Sequence, residues 1–447
     1  MRSLRNKISI IEAEFENIDI VCITESHLNQ QISDVDIRLQ TFSNKLFRKD
    51  RSTGPGGGII VYHKDDVVIN RRLELERDDI ELLWLEVRVD NHKFLLGCIY
   101  RPDNNVDYWV KLDDSLTRAT DTSLDVILTG DINIDMLNIP LNDHLSRLLI
   151  KHNLSSLISE PTRITPDSAT SIDVIFTNNL NLIKNTHVSP PFCSDHSPVH
   201  AQISFTLFKQ ASYKKPLLKY DEADFDSINN ALLNIDWLNI SSNQDSNTFN
   251  SFILDSITEQ VNTFIPSKVI TIRPNDKPWM NNIIRLKMRQ RNRIHKNANL
   301  TNTPHFWEIL RFLRSETIDL IREAKGNYIK TLENSLNENT VPSDKWWKIA
   351  KSITNFSNKS TSIPPLESNE QLISHPIDKA ELLNNHFTNI STSSPDLELP
   401  QTAQPYALHS LTNIHVTEQD VMDQLSILNV NKPPGPDGIV PKIVKKA

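Results

Sequence analysis

Over the first two hundred residues, short runs of branched apolar side chains alternate with segments of helical spacing, and most runs end in a polar residue. Leu4, Ile8, Ile11 and Phe15 recur as one helix face across residues 4–17. Residues 18–24 then read as a strand, with Glu25 at its end. Gly54-Pro55-Gly56-Gly57-Gly58 precedes a second apolar run at 59–62. The runs 83–89 and 93–100 predict an antiparallel pair about the turn Asp90-Asn91-His92, and the second closes on Tyr100-Arg101-Pro102. A helix over 106–119 leads into a buried strand that ends at Gly130-Asp131-Ile132-Asn133. A helix over 141–152 follows, then a strand at 171–176 that carries Asp173 within apolar residues. Ser194-Asp195-His196-Ser197-Pro198 stands directly before a last strand at 199–207. Strands and helices in this alternation predict an α/β domain with a mixed sheet up to about residue 208.

Beyond that point the texture changes. Residues 209–219 read as a polar, basic connector, and 220–264 as helix with Asn/Ser-rich breaks. Between 273 and 296 there are eight Lys/Arg against one Asp, much of it at helical spacing. Residues 300–336 continue as helix, with Phe306, Trp307, Leu310 and Leu313 on one side. Ser/Thr/Pro-rich linkers are expected at 352–366 and 391–407, and a helix capped by Thr417 over 417–428.

Composition narrows the picture only a little. At 447 residues the chain has room for two or three domains, and 38 % hydrophobic residues are enough for a core. The net charge of −8 excludes a uniformly cationic nucleic-acid coat but not a local basic patch. Three cysteines, Cys22, Cys98 and Cys193, lack metal or disulfide spacing and suit a reduced, intracellular compartment. The first residues carry no signal core, and no apolar window is long enough to span a bilayer.

The polar residues at strand ends bring in the chemistry. Each alone has a plain alternative: Asp131 and Asn133 as turn formers, Tyr100 as a core cap, Ser-Asp-His-Ser-Pro as an ordinary turn. The three consecutive glycines invite a phosphate-loop reading, but no Lys-Ser/Thr follows and the next element is a strand, so a hairpin loop fits better. Together, Glu25, Tyr100, Asp131, Asn133, Asp173, Asp195 and His196 supply what metal-assisted phosphodiester hydrolysis needs. Glu25 and Asp195 offer hard oxygens to Mg²⁺ or Mn²⁺. Asp131 can take a proton from water that Asn133 orients. Asp173 can hold His196 charged beside a phosphate, with Tyr100 and Arg101 as further phosphate contacts. The basic run, with Arg285, Lys287, Arg289, Arg291 and Arg293, is either a solvated helix face or a grip on phosphates.

These stretches resemble the endonuclease/exonuclease/phosphatase superfamily, and within it the apurinic-type endonuclease domain of non-LTR (LINE-like) retrotransposons. The resemblance rests on Thr24-Glu25-Ser26-His27-Leu28, Gly57-Gly58-Ile59, Tyr100-Arg101-Pro102, Gly130-Asp131-Ile132-Asn133, Ser171-Ile172-Asp173-Val174-Ile175-Phe176 and Ser194-Asp195-His196-Ser197-Pro198, in that order. It implies a four-layered α/β sandwich over 1–208, without the strand that in this family precedes Arg2-Ser3-Leu4 and carries a site Asn. It also implies Glu25 as metal ligand, Asp195 near the metal, Asp131 activating water, Asn133, Tyr100 and His196 at the scissile phosphate, and Asp173 orienting His196. Lys277-Pro278-Trp279-Met280 and the basic helix resemble the segment joining endonuclease to reverse transcriptase in jockey-like elements. A mainly helical linker over 209–430 is therefore expected, and 431–447 resembles a reverse-transcriptase opening. No Asp-Asp pair has a Tyr/Phe-x-Asp-Asp context, so polymerase activity is rejected. The expected function is a divalent-metal-dependent DNA endonuclease in the nucleus, with template RNA as a further partner. The alternatives are an inactive remnant that binds nucleic acid through 273–330, and a hydrolase of phospholipid or inositol phosphate.

Overall fold

The computed structural model describes residues 4–205, 212–242, 245–272, 277–336, 341–353, 363–390 and 416–446, apart from 41, 44, 52, 53, 55, 91, 103–106, 123, 142, 166, 370, 431, 433, 436 and 437. The chain forms two compact units, Met1–Lys209 with Asn275–Ser391, and Gln210–Pro274 with Thr392–Ala447. Within the linker expected over 209–430, Asn275–Ser391 groups with the first unit.

In the first unit, helix α1 (Ile8–Glu14) leads to strand β1 (Ile20–Thr24), which pairs antiparallel with β3 (Ile59–His63), as does β2 (Phe47–Lys49). A larger sheet is built from β4 (Val68–Arg71), β5 (Glu81–Val89), β6 (His92–Tyr100), β7 (Asp125–Asp131), β8 (Ser155–Ser156) and β11 (Asp173–Thr177), in the order β4-β5-β6-β7-β11-β8. Two short strands, β9 (Arg163–Ile164) and β10 (Ala169–Thr170), form their own ladder, and β12 (Ile183–Val188) pairs with β13 (Val199–Ile203). Helix α2 (Tyr108–Thr120) makes the crossover that lets β6 and β7 run parallel, and α3 (His144–Lys151) follows β7.

Three apolar interfaces stack these parts. Leu112 and Leu116 of α2 and Leu145 and Leu148 of α3 pack on Trp84, Leu95, Val126 and Val174 of the large sheet. That sheet's opposite face, with Leu83, Leu85, Leu96 and Ile127, meets Phe47, Ile59 and Val61 of the small sheet. The far side of the small sheet, with Val21, Ile23, Ile60 and Tyr62, covers Ile8 and Ile11 of α1 and Phe192. The result is helix, sheet, sheet, helix: the expected four-layered α/β sandwich. The short strands and β12 are elements that the sequence reading did not separate.

In the second unit, β14 (Tyr213–Leu218) pairs antiparallel with β15 (Ser267–Ile272) around α4 (Phe225–Leu233), α5 (Trp237–Ser242) and α6 (Ser246–Phe264). The basic stretch read as a connector is thus a strand. Its partner lies about fifty residues away, so no local pattern announces the pairing, and Pro216 is tolerated because a two-stranded ribbon has only edges.

Back in the first unit, α7 (Asn282–Thr301) and α8 (Pro304–Leu336) form a helical hairpin that turns at Asn302, a left-handed residue with φ +46°. Trp279, Ile284 and Ile321 pack on Ala13 of α1. Ion pairs join the same helices: Arg291 to Glu14 at 2.6 Å and Lys325 to Glu12 at 2.8 Å. The linkers expected at 352–366 and 391–407 lie largely outside the described residues, as do four positions of the 431–439 stretch. Thr417 caps the helix Glu418–Ser426 through a capping box with Asp420. No described helix is long and apolar enough to cross a membrane.

Candidate active site

The site begins with strand register. Tyr100, Asp131 and Asp173 are directly paired across β6, β7 and β11, so three polar residues stand side by side at one end of the large sheet. Gly130 makes this possible: at φ +147°, a Cβ there would lie 1.8 Å from the Ile99 carbonyl oxygen. Only hydrogen fits. Beyond the strand, Ile132 N donates to the Ile172 carbonyl (3.1 Å) and Arg101 N to the Asp131 carbonyl (2.9 Å), which ties the three strand ends together. Asn133, at φ +50°, donates its backbone N–H to Asp131 Oδ1 (3.0 Å) and its side-chain amide to the Arg101 carbonyl (2.8 Å).

His196 comes from the loop before β13. Its Nδ1 lies 3.0 and 3.2 Å from the two Asp173 oxygens and 4.0 Å from Asp131 Oδ2. Ligand atoms of Asp131, Asp173 and His196 all fall within 4.8 Å of one another. Thr162, which the sequence reading missed, fixes both sides of this contact. Its hydroxyl accepts from the N–H groups of Ile172 and Asp173, and its carbonyl accepts from Ser197 N at 2.6 Å. A threonine in a polar stretch gives no periodic signal, so only the tertiary contact reveals it.

Glu25 follows β1 with a left-handed backbone (φ +52°) and accepts a hydrogen bond from the Tyr100 hydroxyl at 2.7 Å. The glycine loop stabilises this turn, since Ser26 N and His27 N donate to the Gly58 and Gly57 carbonyls. Arg51 and Glu81, also missed, brace the loop: Arg51 Nε bonds Glu81 Oε1 (2.6 Å), Glu81 accepts from Gly58 N, and the Arg51 guanidinium lies over the Tyr100 ring.

Burial sets the charge states. Burial, reinforced by the Asp173 and Glu25 charges, pushes the Asp131 carboxyl up to about 7 against the pull of His196 and the Asn133 N–H. Burial opposes the charge on His196, but the hydrogen bond and charge of Asp173, with Asp131 and Asp195, raise its pKa above the ordinary histidine value. Glu25 moves the other way: burial is outweighed by the Tyr100 hydrogen bond and nearby cations, and its pKa falls.

The remaining expected site residues are placed differently. Asp195 bonds Arg163 Nε through Oδ2 at 2.9 Å and is not among the three grouped residues. Arg101 donates to the Ile132 carbonyl at 3.3 Å and lies over the Trp109 ring. Of the basic run, Arg291 is buried against Glu14, Lys287 pairs with Glu316 at 2.7 Å, and Arg285 lies 3.8 Å from Glu16. Arg289 and Arg293 are exposed, one turn apart on α7.

No curated protein matches the chain. Among solved structures, the endonuclease domain of TRAS1, a telomere-specific non-LTR retrotransposon, is 18 % identical with a TM-score of 0.35, covering 46 % of this chain and 94 % of that one. An AP endonuclease from Archaeoglobus fulgidus is 13 % identical with a TM-score of 0.35, covering 46 % and 97 %. A 3′ phosphatase from Neisseria bound to a product DNA hairpin is 14 % identical with a TM-score of 0.34, covering 46 % and 97 %. The family model that matches, over residues 2–196, is that of the Endonuclease/Exonuclease/phosphatase family.

Proposed function

We propose that this domain is a divalent-metal-dependent phosphodiester hydrolase that nicks DNA. The observation that carries the reading is the Asp131–Asp173–His196 contact at the end of the large sheet, with the Tyr100–Glu25 pair beside it. Glu25, Asp131 and Asp173, with burial and their mutual charge lifting the Asp131 carboxyl to about 7, form a donor set suited to a hard cation. Glu25 would hold Mg²⁺ or Mn²⁺, and Asp195 would lie near it through the oxygen not engaged by Arg163. Such an ion neutralises charge on the scissile phosphate.

The chain's own residues supply the proton chemistry. A carboxyl titrating near 7 is matched to accept a proton from water at neutral pH, which is the task of Asp131. Asp173 accepts a hydrogen bond from His196 Nδ1–H and favours the protonated ring. The other ring nitrogen is then a donor to a phosphate oxygen. Tyr100 holds Glu25 in place, and Asn133 shapes the turn under Asp131. DNA as substrate, a 3′-hydroxyl product that primes reverse transcription, and work in the nucleus all rest on the motif resemblance. A second reading, an inactive chain that holds nucleic acid, draws on the exposed Arg289 and Arg293.

Supercoiled plasmid with Mg²⁺ tests the proposal. Nicked circles that vanish with EDTA support it, whereas binding without nicking supports the second reading. The variant Asp131→Asn is expected to nick at least ~10²-fold more slowly. Near-normal nicking by this variant removes Asp131 from the chemistry.

A further inference from the structure

A chain of hydrogen bonds runs from the helical hairpin into the site. Arg314, on α8, donates from Nη2 to the Ser194 carbonyl at 2.5 Å. The Ser194 hydroxyl accepts from the His196 backbone N–H at 3.1 Å and donates to the His196 carbonyl at 3.2 Å. His196 then meets Asp173. The apolar contacts run alongside: Phe192 and Cys193, which open the loop, pack in one cluster with Phe15 and with Ile318 of α8. On its other side the same loop is tied by Ser197 N to Thr162 and by Asp195 to Arg163.

We propose that Arg314 is a positioning residue for His196, so that the hairpin α7–α8 completes the site of the domain that precedes it in sequence. This rests on the hydrolase reading above. The physical reason is that the segment 194–198, which bears His196, keeps its angle only if its backbone carbonyls are held, and a rigid helix holds them better than another loop. A guanidinium suits the task because it keeps its charge when largely enclosed and donates in a fixed plane. Ile321 and Lys325, further along α8, anchor the helix on α1, so the reach of Arg314 is set by rigid contacts at Ala13 and Glu12.

The test uses the full chain. Arg314→Gln is expected to lower kcat for plasmid nicking about 10-fold with KM within about twofold, because the loop loses angle and not substrate contact. Arg314→Lys is expected to recover most of kcat, since an ammonium can donate to the same carbonyl. Ser194→Ala, which cuts the relay one step later and leaves α8 docked, is expected to repeat the kcat loss if Arg314→Gln does not fold. Amide exchange over 194–197 is expected to rise in Arg314→Gln, while Arg322→Gln, an exposed neighbour on α8, changes neither readout. Wild-type kcat and unchanged loop exchange in Arg314→Gln overturn the positioning role alone. Absence of nicking by the wild-type chain overturns the hydrolase reading, and this proposal with it.

Discussion

Two ionisable residues show how burial acts in opposite directions on acid and base. Asp131 is lifted to about 7, and Lys277, 5 % exposed, is pulled down to about 8. The Lys277 amine has no hydrogen-bond partner among the described residues, and burial outweighs the help of Glu12 and Glu16 while Lys325 and Lys64 add repulsion. Unfolded, the amine titrates near its ordinary value of about 10.4. Between the two values the unfolded chain binds more protons, so stability rises with pH over roughly 8 to 10. Lys277→Met is therefore expected to raise stability at pH 7 by an amount on the order of 3 kcal/mol, and to flatten that rise. Thermal melts at pH 7 and 10 check this; identical melting at pH 7 would mean that the folded state solvates the amine. Asp131 was legible as a candidate because it ends an apolar strand. Its charge state was not, because burial and the charges of Asp173 and Glu25 come from distant segments.

Among the elements, the basic helix divides its cations between ion pairs and solvent. The basic run could be a solvated face or a grip on phosphates, and α7 directs Arg285, Lys287 and Arg291 toward Glu16, Glu316 and Glu14. Lys287 and Arg291 share one helix face and Arg285, Arg289 and Arg293 another, where Arg285 reaches Glu16 while Arg289 and Arg293 stay exposed. Replacing Arg289 and Arg293 together with Gln is expected to lower the slope of log K against log salt for DNA binding by about 2. Arg291→Gln is expected to leave that slope alone and to cost about 3 kcal/mol of stability, because it strands the largely buried Glu14 carboxylate. Filter binding across a salt series, with melts of the same variants, separates the two roles. A slope change from Arg291→Gln would return the residue to the nucleic-acid surface.

For the first unit as a whole, the hairpin belongs to the body of the sandwich. Ile321 is fully buried in the seam between α8 and α1, and truncating it leaves a cavity that neighbouring side chains fill only in part. Ile321→Ala is expected to destabilise the unit by roughly 2–4 kcal/mol, read as one cooperative transition in denaturant. A separate early transition with the sandwich melt unchanged would show that hairpin and sandwich unfold independently. The expected border at 208 came from a change in texture, the end of strand alternation. That texture reports which elements form and is silent on which ones pack together.

By itself the sequence determined the main strands of the sandwich, the glycine at the end of one of them and the set of polar residues at their ends, because period, branching and turn chemistry are local properties. Tertiary structure alone decided which of those residues meet. Register set Tyr100, Asp131 and Asp173 in a row; Thr162 and Arg314 hold the histidine loop; and helix phase turned Arg291 toward Glu14, away from the exposed Arg289 and Arg293. Contacts between distant segments follow from packing, and packing leaves no mark on any short window of the chain.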